Sequence, residues 1–399
     1  MQVTQIHLNF PEELKKVFAV IANNGGQGRL VGGCVRDYLN NKCPKDFDIA
    51  TDLLPQKVME VFKSYKTVPI GLSHGTILII VNNYHFEITT LRKDLKCFGR
   101  HAQVEYTSDW ASDDASRRDF TINALSITPQ GEVYDYFSGR KDLQKGIVKF
   151  VGNPSKRIAE DYLRIMRFFR FLGYFGLSNI DHISYTAVME SISNLQYISS
   201  ERIKRELLKL LGSAHAKDVI IMLNRERVLR HIGLSPMILD NNKTEAVTFK
   251  KDDPIVNLAI LIILSDNKKE KYLDELKRNI ALSNNEKKQL SSLIAFNFQD
   301  EFTDFYHYKY WYEYGKDLYI RFLFIVNSIK PFKSYISYLK EASNSTEHIF
   351  PLRGQDIQEQ GYKGKAIGQL LDKAKEYWHR NNHNITKVEL LDYIRNLGF

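Results

Sequence analysis

The sequence predicts an α+β protein in which an α/β head with a mixed sheet is followed by an all-helical remainder. Twelve of the 22 glycines lie within residues 1–152. The same segment holds short β-branched runs bounded by Gly, Asn and Pro, a pattern typical of strands. After Gly152, apolar residues recur every three or four positions, which is typical of helices with one buried face.

Few helices are expected within the head. Two are predicted, Pro11–Ala22 and Pro55–Ser64, because proline is tolerated in a first helical turn. The predicted strands are Arg29–Val31, Phe47–Thr51, Thr76–Val81, His85–Leu91, Thr121–Thr128 and Val148–Val151.

Long amphipathic stretches predict the helices of the remainder. They are Ser155–Leu172, Ser200–Leu211, Ala216–Glu226, Asn257–Leu264, Lys268–Asn279, Asn285–Phe298, Asp317–Ile329, Ile367–Arg380 and Thr386–Leu397. Two polar segments rich in turn formers, Asp240–Asp253 and Ser343–Gly354, are the weakest joints between them.

Composition excludes several classes of protein. Of 399 residues 43% are hydrophobic, enough for a sizeable core. The longest apolar run, Leu258–Leu264, has seven residues, whereas a membrane span needs ~20. The first residues lack the pattern of a signal peptide, and the three cysteines show no CxxC spacing. We therefore expect a cytoplasmic protein with no membrane association.

Charge is unevenly distributed along the chain. Residues 1–152 hold 19 Lys and Arg against 17 Asp and Glu, a net +2, and the remaining residues hold 37 against 30, a net +7. The total of +9 permits nucleic-acid binding but does not require it.

The first chemical motif is Leu30-Val-Gly-Gly-Cys-Val-Arg-Asp37, followed nine residues later by Asp46-Phe-Asp48. Gly32 and Gly33 let the backbone approach a phosphate closely, and Arg36 could donate to its oxygens. Asp46 and Asp48 alternate along a strand, so their carboxylates point to one face. They repel each other unless a cation lies between them, and Mg²⁺ is the expected cation.

Two further motifs lie in the head. Glu87 sits mid-strand in Phe86–Arg92, either as a third acidic group at the metal site or as a solvent-facing glutamate. In Ser116–Leu125, the pair Arg117-Arg118 and the neighbouring Asp119 could grip a triphosphate and a ribose hydroxyl. The alternative is a local cluster of ion pairs.

The fourth motif is Arg157–Arg170. Asp161 and Arg164 are predicted to lie at i, i+3 on one helix, where they are surface neighbours and could form a simple salt bridge. The carboxylate could also accept from the exocyclic amine of cytosine or adenine, while the guanidinium donates to a ring nitrogen or carbonyl. Guanine and uracil would present an acceptor to the carboxylate and be rejected. Arg167 and Arg170 continue a basic stripe.

In this order the motifs resemble those of the class II tRNA nucleotidyltransferase and bacterial poly(A) polymerase family. The matching text runs from residue 28 to residue 211 as LVGGCVRD…DFD, FEITTLR, RRDFTINAL, DYFSGRKDL, EDYLRIMRFFRF and SSERIKRELLKLL. The family fold is a seahorse with a head, neck, body and tail. The resemblance implies a head at 1–152, a base-recognising neck at 153–215, a body at 216–335 and a tRNA-binding tail at 336–399.

The resemblance also implies the activity. Asp46 and Asp48 would hold Mg²⁺, with Glu87 as a further catalytic candidate, while an RNA 3′-hydroxyl attacks the α-phosphate of CTP or ATP and releases pyrophosphate. The implied partner is tRNA, held by its acceptor and T arms, and the oligomeric state is left open. The implied nucleotide-binding residues are Gly32, Gly33, Arg36, Arg118, Asp119, Asn123, Glu160, Asp161, Arg164, Arg167 and Arg170.

CCA addition is favoured over poly(A) addition by features outside the shared core. Lys93–Ser116 fills a loop region that members adding only CC tend to lack. The basic run typical of poly(A) polymerases is missing after Gly75-Thr76, and no long basic C-terminal extension is present. A non-catalytic RNA-binding descendant is the alternative from another class, and the intact Asp46, Asp48 and Asp119 argue against it.

Overall fold

The structure is a computed structural model that describes residues 2–6, 10–42, 44, 46–71, 75–98, 101–235, 246–265, 269–296, 301–344 and 349–397. The chain divides into two compact units, Met1–Gly233 and Leu234–Phe399. Parts of several predicted features lie outside the described residues, namely the joints at 240–253 and 343–354, the loop region at 93–116 and the ends of the helices predicted over 268–279 and 285–298.

An eight-stranded mixed sheet forms the head of the first unit. The described strands are β1 Gln2–Gln5, β2 Gly28–Val31, β3 Asp46–Thr51, β4 Lys66–Gly71, β5 Thr76–Val81, β6 Tyr84–Thr90, β7 Arg92–Phe98, β8 His101–Tyr106, β9 Leu125–Ile127 and β10 Glu132–Asp135. The order in the sheet is β1-β10-β9-β2-β3-β6-β5-β4, and β7 pairs with β8 in a separate hairpin. Among these described neighbours in the sheet, only β3 and β6 run parallel.

One face of the sheet carries the core of the head. Phe47 and Ile49 of β3 are fully buried, and the Phe47 ring stacks on Phe86 of β6 with centroids 5.4 Å apart. Two helices, α1 (Glu12–Asn23) and α3 (Pro55–Val61), contribute apolar side chains to the same core. The alternate residues of β3 therefore point to the opposite face.

Two strands predicted in the head are replaced by other structure. Thr121–Asn123 forms a 3-10 turn before the short strand β9, and residues 148–151 contribute only isolated bridges. The Thr121 hydroxyl donates to Asp142 at 2.6 Å, and its N–H donates to the Lys149 carbonyl at 2.9 Å. The second bond occupies a backbone N–H that a longer strand would use in a ladder.

Helices follow the sheet in the first unit. With α2 at Gly33–Leu39, they are α4 Gly139–Lys145, α5 Pro154–Glu160, α6 Leu163–Phe175, α7 His182–Glu190, α8 Ser200–Leu211 and α9 Ala216–Arg225. The single helix predicted over 155–172 is wrong, because Asp161 has φ −157° and ψ 106° and separates α5 from α6. The Asp161 side chain accepts from the Leu163 N–H at 3.1 Å, which replaces a helical backbone bond.

The named elements in the described part of the second unit are all helices. Its helices are α10 Pro254–Leu264, α11 Lys269–Asn279, α12 Asn284–Leu293, α13 Asp304–Ile329, α14 Tyr335–Asn344, α15 Gly354–Gln358, α16 Lys365–Arg380 and α17 Lys387–Asn396. A break at Gly315, with φ 72°, interrupts α13 just before the helix predicted from Asp317. The predicted fold class, a mixed-sheet head followed by helices, is confirmed. No helix within the described ranges is long and apolar enough to span a bilayer.

Candidate active site

Three carboxylates share the face of the sheet opposite the core. In the parallel pair of β3 with β6, Asp48 is in register with Glu87 and Asp46 with His85. Registered residues of paired strands point to the same face, as do residues two apart on one strand. Asp46 and Glu87 are exposed, whereas Asp48 is partly buried. Glu87 is exposed and lies beside Asp48, and its role at a metal site stays a prediction.

The crowding of these carboxylates changes the acidity of Asp48. Burial and the neighbouring charge of Glu87 raise the pKa of Asp48 to about 6, although Arg118 opposes the shift. A cation beside Asp48 would relieve this repulsion.

The donor set fits Mg²⁺, which prefers carboxylate oxygens. Within the described residues, no group of three or more His, Cys, Asp or Glu side chains could hold a metal by itself. Mg²⁺ is commonly bound by one or two carboxylates together with substrate phosphates. The pair Asp46 and Asp48 therefore fits a metal whose coordination a nucleotide completes.

The glycine turn after β2 lies against the acidic face. Gly32 has φ +74°, and a Cβ built there would lie 3.0 Å from Arg118 Nη1 and 3.4 Å from Asp48 Oδ2. The missing side chain at Gly32 thus leaves space between a guanidinium and a carboxylate. A Cβ at Gly33 would meet Arg36 Nη2 at 3.6 Å. Gly32, Asp48 and Arg118 thus lie close together, and the nucleotide contacts that the resemblance implies for Gly32 and Arg118 stay predictions.

Arg36 connects α2 to the turn that precedes β9. Its Nη1 donates to Asn123 Oδ1 at 2.9 Å, and its Nη2 donates to Asp37 Oδ1 at 2.9 Å. Asn123 Nδ2 in turn donates to Asp119 Oδ1 at 3.0 Å. The guanidinium lies 5.2 Å from the ring centroid of Phe171 on α6. Arg36, Asn123 and Asp119 therefore form one hydrogen-bonded chain.

Asp119 is buried and fully engaged by protein donors. Arg167 Nε donates to its Oδ2 at 2.5 Å, and the Phe120 N–H donates to its Oδ1 at 2.9 Å. Burial alone would raise the pKa of Asp119, but Arg167 and Asn123 hold it at about 2. An unfolded aspartate has a pKa of ~3.9, so the pair stabilises the fold above that pH. This contribution is lost as the pH falls towards 2. The ribose contact expected of Asp119 stays a prediction.

Asp161 and Arg164 do not share a helix, so the expected i, i+3 geometry on one helix is wrong. Asp161 ends α5, whereas Arg164 lies in the first turn of α6. Each has a separate partner. Arg164 Nη1 donates to Glu160 Oε2 at 2.5 Å, and Arg202 Nη2 donates to Asp161 Oδ2 at 2.7 Å. Glu160, which the resemblance implies as a nucleotide-binding residue, thus contacts Arg164, and its contact with a nucleotide stays a prediction.

Arg170 of α6 contacts Glu206 of α8. Its Nη1 lies 3.0 Å from Glu206 Oε2, and both side chains are buried. Burial and the charge of Arg167 lower the pKa of Arg170, while Glu206 opposes the shift. The nucleotide contact predicted for Arg170 stays a prediction.

Sequence reasoning missed Asp114, which anchors two arginines. Asp114 is buried, and Arg118 donates to its Oδ2 through Nε at 3.1 Å and Nη2 at 2.9 Å. Arg117 Nη2 donates to Oδ1 at 2.5 Å. Burial would raise the pKa of Asp114, but Arg118 and Arg117 lower it to about 2. The spacing of three and four residues before the arginine pair was the available signal.

Arg29 is a second residue that the motifs did not identify. Its guanidinium lies between the rings of Trp110 and Tyr134, 4.2 Å and 3.9 Å from their centroids. Trp110 also packs on Val31 and Ala50 of the sheet. This contact fixes the start of the turn Trp110–Ala115, which carries Asp114.

Two family models match the chain in the regions that carry this site. The model described as the poly A polymerase head domain matches residues 28–149. The model described as the probable RNA and SrmB-binding site of polymerase A matches residues 179–238. Fold and site thus define a nucleotidyltransferase with a head of the poly(A) polymerase class.

Curated relatives identify the family within this class. The mitochondrial CCA tRNA nucleotidyltransferase 1 of Mus musculus is 34% identical over 99% of this chain and 92% of its own length. The CCA-adding enzyme of Staphylococcus saprophyticus is 30% identical over 92% of this chain and 90% of its own. The chain therefore belongs to the CCA tRNA nucleotidyltransferase family, and the predicted enzyme class is confirmed.

Solved structures share the fold. A Bacillus stearothermophilus CCA-adding enzyme in complex with CTP has a TM-score of 0.77 at 23% identity, covering 96% of this chain and 98% of its own. A Thermotoga maritima CCA-adding enzyme complexed with tRNA has a TM-score of 0.67 at 18% identity, covering both chains completely. These likenesses support the fold-class prediction.

Replacement of Asp114 by alanine should destabilise the head. The change leaves Arg117 and Arg118 without their buried anion, which costs about 3–5 kcal/mol when a buried pair is broken. Equilibrium denaturant unfolding followed by circular dichroism would measure the loss. Asp109→Ala removes an exposed carboxylate from the same segment and should cost less than about 1 kcal/mol. Equal stabilities of the two variants would contradict the anchoring role of Asp114.

Proposed function

We propose that this chain adds C, C and A to the 3′ end of tRNA, using CTP and ATP and no nucleic-acid template. The observation that supports it most is the convergence, in the first unit, of Asp46 and Asp48 with the Gly32 turn and Arg118. Membership in a family whose relatives are named for CCA addition agrees with this assignment.

The chemistry is attack of an RNA 3′-hydroxyl on the α-phosphate of the nucleotide, with pyrophosphate as the leaving group. Asp46 and Asp48 would hold a divalent metal, Mg²⁺ in this proposal, with Glu87 beside them. When bound, the metal would lower the pKa of the attacking RNA 3′-hydroxyl and neutralise charge on the leaving pyrophosphate. The chain's own contribution is to hold these carboxylates on one rigid sheet face.

The triphosphate is assigned to the glycine turn and its arginines. Because Gly32 and Gly33 lack a Cβ, phosphate oxygens can approach the backbone at the start of α2. Asp114 accepts from the Nε and Nη2 of Arg118, so the Nη1 that lies beside Gly32 is the atom directed at this space. Arg36 lies on the same turn and would donate to the nucleotide from α2.

Base selection is assigned to the junction of α5 and α6. The Asp161 carboxylate would accept from N4 of cytosine or N6 of adenine, while Arg164 donates to a ring nitrogen or carbonyl. Arg164 is held by Glu160 and by the carbonyls of Arg157 and Arg117, at 2.6 Å and 3.2 Å. Asp119, Asn123, Arg167 and Arg170 would complete the nucleotide pocket.

The RNA partner is assigned to the helical part of the chain. Residues after Gly152 carry the net charge of +7, which suits contacts to backbone phosphates. We assign the neck to 153–215, the body to 216–335 and the tail to 336–399, with the acceptor and T arms of tRNA as their ligand. Cytoplasmic action belongs to the proposal, although relatives named as mitochondrial occur in mouse and human.

Poly(A) addition is the second candidate, because the family model of the head is described by that activity. The two candidates differ in the product. Labelled CTP and ATP should extend a tRNA lacking its terminus by CC and then A, without UMP or GMP. Long A-tails on unrelated RNA would favour poly(A) addition, and no incorporation with Mg²⁺ present would favour a non-catalytic RNA-binding protein.

Asp46→Ala should reduce nucleotide addition by at least about a hundredfold, since it removes a ligand of the proposed metal, whose positive charge would stabilise the transition state. Single-turnover addition of CMP in Mg²⁺ measures the effect. Glu60→Gln, an exposed change on α3, serves as the control and should keep wild-type rates. Wild-type rates in Asp46→Ala would refute the assignment of the metal site.

Asp161→Ala should relax nucleotide choice more than it weakens tRNA binding. Loss of the carboxylate acceptor should lower the preference for CTP over UTP by about 10–100-fold, the value of one or two hydrogen bonds. The measurement is kcat/KM for each nucleotide, together with tRNA affinity by filter binding. A fall in tRNA affinity with unchanged nucleotide choice would contradict the role given to Asp161.

A further inference from the structure

The Asp161 carboxylate, proposed above to select the base, is held by a residue from a distant part of the chain. Asp161 is the one non-helical residue between α5 and α6, so neither helix fixes its side chain through a regular position. Its Oδ1 accepts from the Leu163 N–H at 3.1 Å. Its Oδ2 accepts from Arg202 Nη2 at 2.7 Å. Arg202 thus supplies the second of the two bonds that set the direction of the carboxylate.

The helix that carries Arg202 is fixed against α6. Ile203 and Leu207 are buried, and Glu206 forms a buried ion pair with Arg170 of α6 at 3.0 Å. Arg202 and Glu206 are four residues apart and therefore lie on one face of α8. On that face, Arg202 contacts Asp161 and Glu206 contacts Arg170. The motif SSERIKRELLKLL, whose role the sequence left unassigned, provides this face.

Separate partners also keep Asp161 and Arg164 from neutralising each other. Arg164 donates to Glu160, whereas Asp161 accepts from Arg202. The Asp161 carboxylate and the Arg164 guanidinium are therefore each held in one orientation. Each also retains hydrogen-bonding capacity for the edge of a base. Without Arg202, rotation of the Asp161 side chain would be restrained by a single bond to its own local backbone.

We propose that Arg202 is a positioning residue for nucleotide selection, which orients the Asp161 carboxylate towards the amino group of cytosine or adenine. This inference rests on the proposed function, because Asp161 is the residue to which that function assigns base selection. Arg202 touches neither the nucleotide nor the metal in this proposal. Its effect is therefore on which nucleotide is added, through the direction of one acceptor.

The test compares kcat/KM for CTP and UTP on a tRNA lacking its terminus in wild type, Arg202→Gln and Arg202→Lys. Arg202→Gln should lower the CTP preference about tenfold or more, as expected for one lost charge-assisted hydrogen bond. Arg202→Lys keeps one charged donor and should restore part of the preference. Affinity for tRNA should stay within about twofold of wild type in both variants.

Arg205→Gln is the matched control, since Arg205 is an exposed arginine on the same helix. It should keep the wild-type preference. Thermal unfolding of each variant shows whether the fold is intact. If Arg202→Gln does not fold, the CTP preference of Arg202→Lys tests the proposal.

Two results are distinguishable in this design. If wild type itself fails to discriminate CTP from UTP, or adds neither, the proposed function is wrong. If wild type discriminates and both Arg202 variants lose rate with an unchanged CTP preference, Arg202 is merely structural and the inference is overturned.

Discussion

The register of the parallel strands β3 and β6 is the constraint on which the rest of the site depends. It places Asp48 beside Glu87 on an open sheet face, with Asp46 two residues away. Burial and the charge of Glu87 raise the pKa of Asp48, so positive charge beside it is favourable. The Gly32 turn admits the guanidinium of Arg118 to this face. Arg118 thus supplies part of the positive charge, and in the proposed reaction a metal would supply the rest.

The arginines around this face are held in place by a second set of carboxylates. Asp114 holds Arg118, Asp119 holds Arg167, and Glu206 holds Arg170. A long cationic side chain loses rotamer freedom when it binds a ligand, and fixing it during folding reduces that cost. Positive charge near the substrate is therefore arranged before the substrate arrives. This arrangement is typical of sites that act by electrostatic stabilisation.

The sequence predicted what local patterns determine and missed what tertiary contacts determine. The glycine turn and Asp46-Phe-Asp48 were recognisable because a strand period and a missing Cβ act over a few residues. The partner of Asp161 was not, because Arg202 lies 41 residues away and meets it only through helix packing. The single helix predicted over 155–172 failed for a related reason. Its apolar spacing continues across Asp161, while the side chain of Asp161 competes for the backbone.

At Asp161, a continuous helix and the proposed selection of the nucleotide have conflicting requirements. The flanking residues have helical dihedrals, so one helix through α5 and α6 would be the simpler fold for this stretch. Such a helix would turn Asp161 onto the face of Arg164 and pair the two charges. On the role proposed for Asp161, a change that favours helix at this position would stabilise the segment and remove the acceptor for the base. The proposed role would therefore limit how far this segment can be stabilised without loss of nucleotide selection.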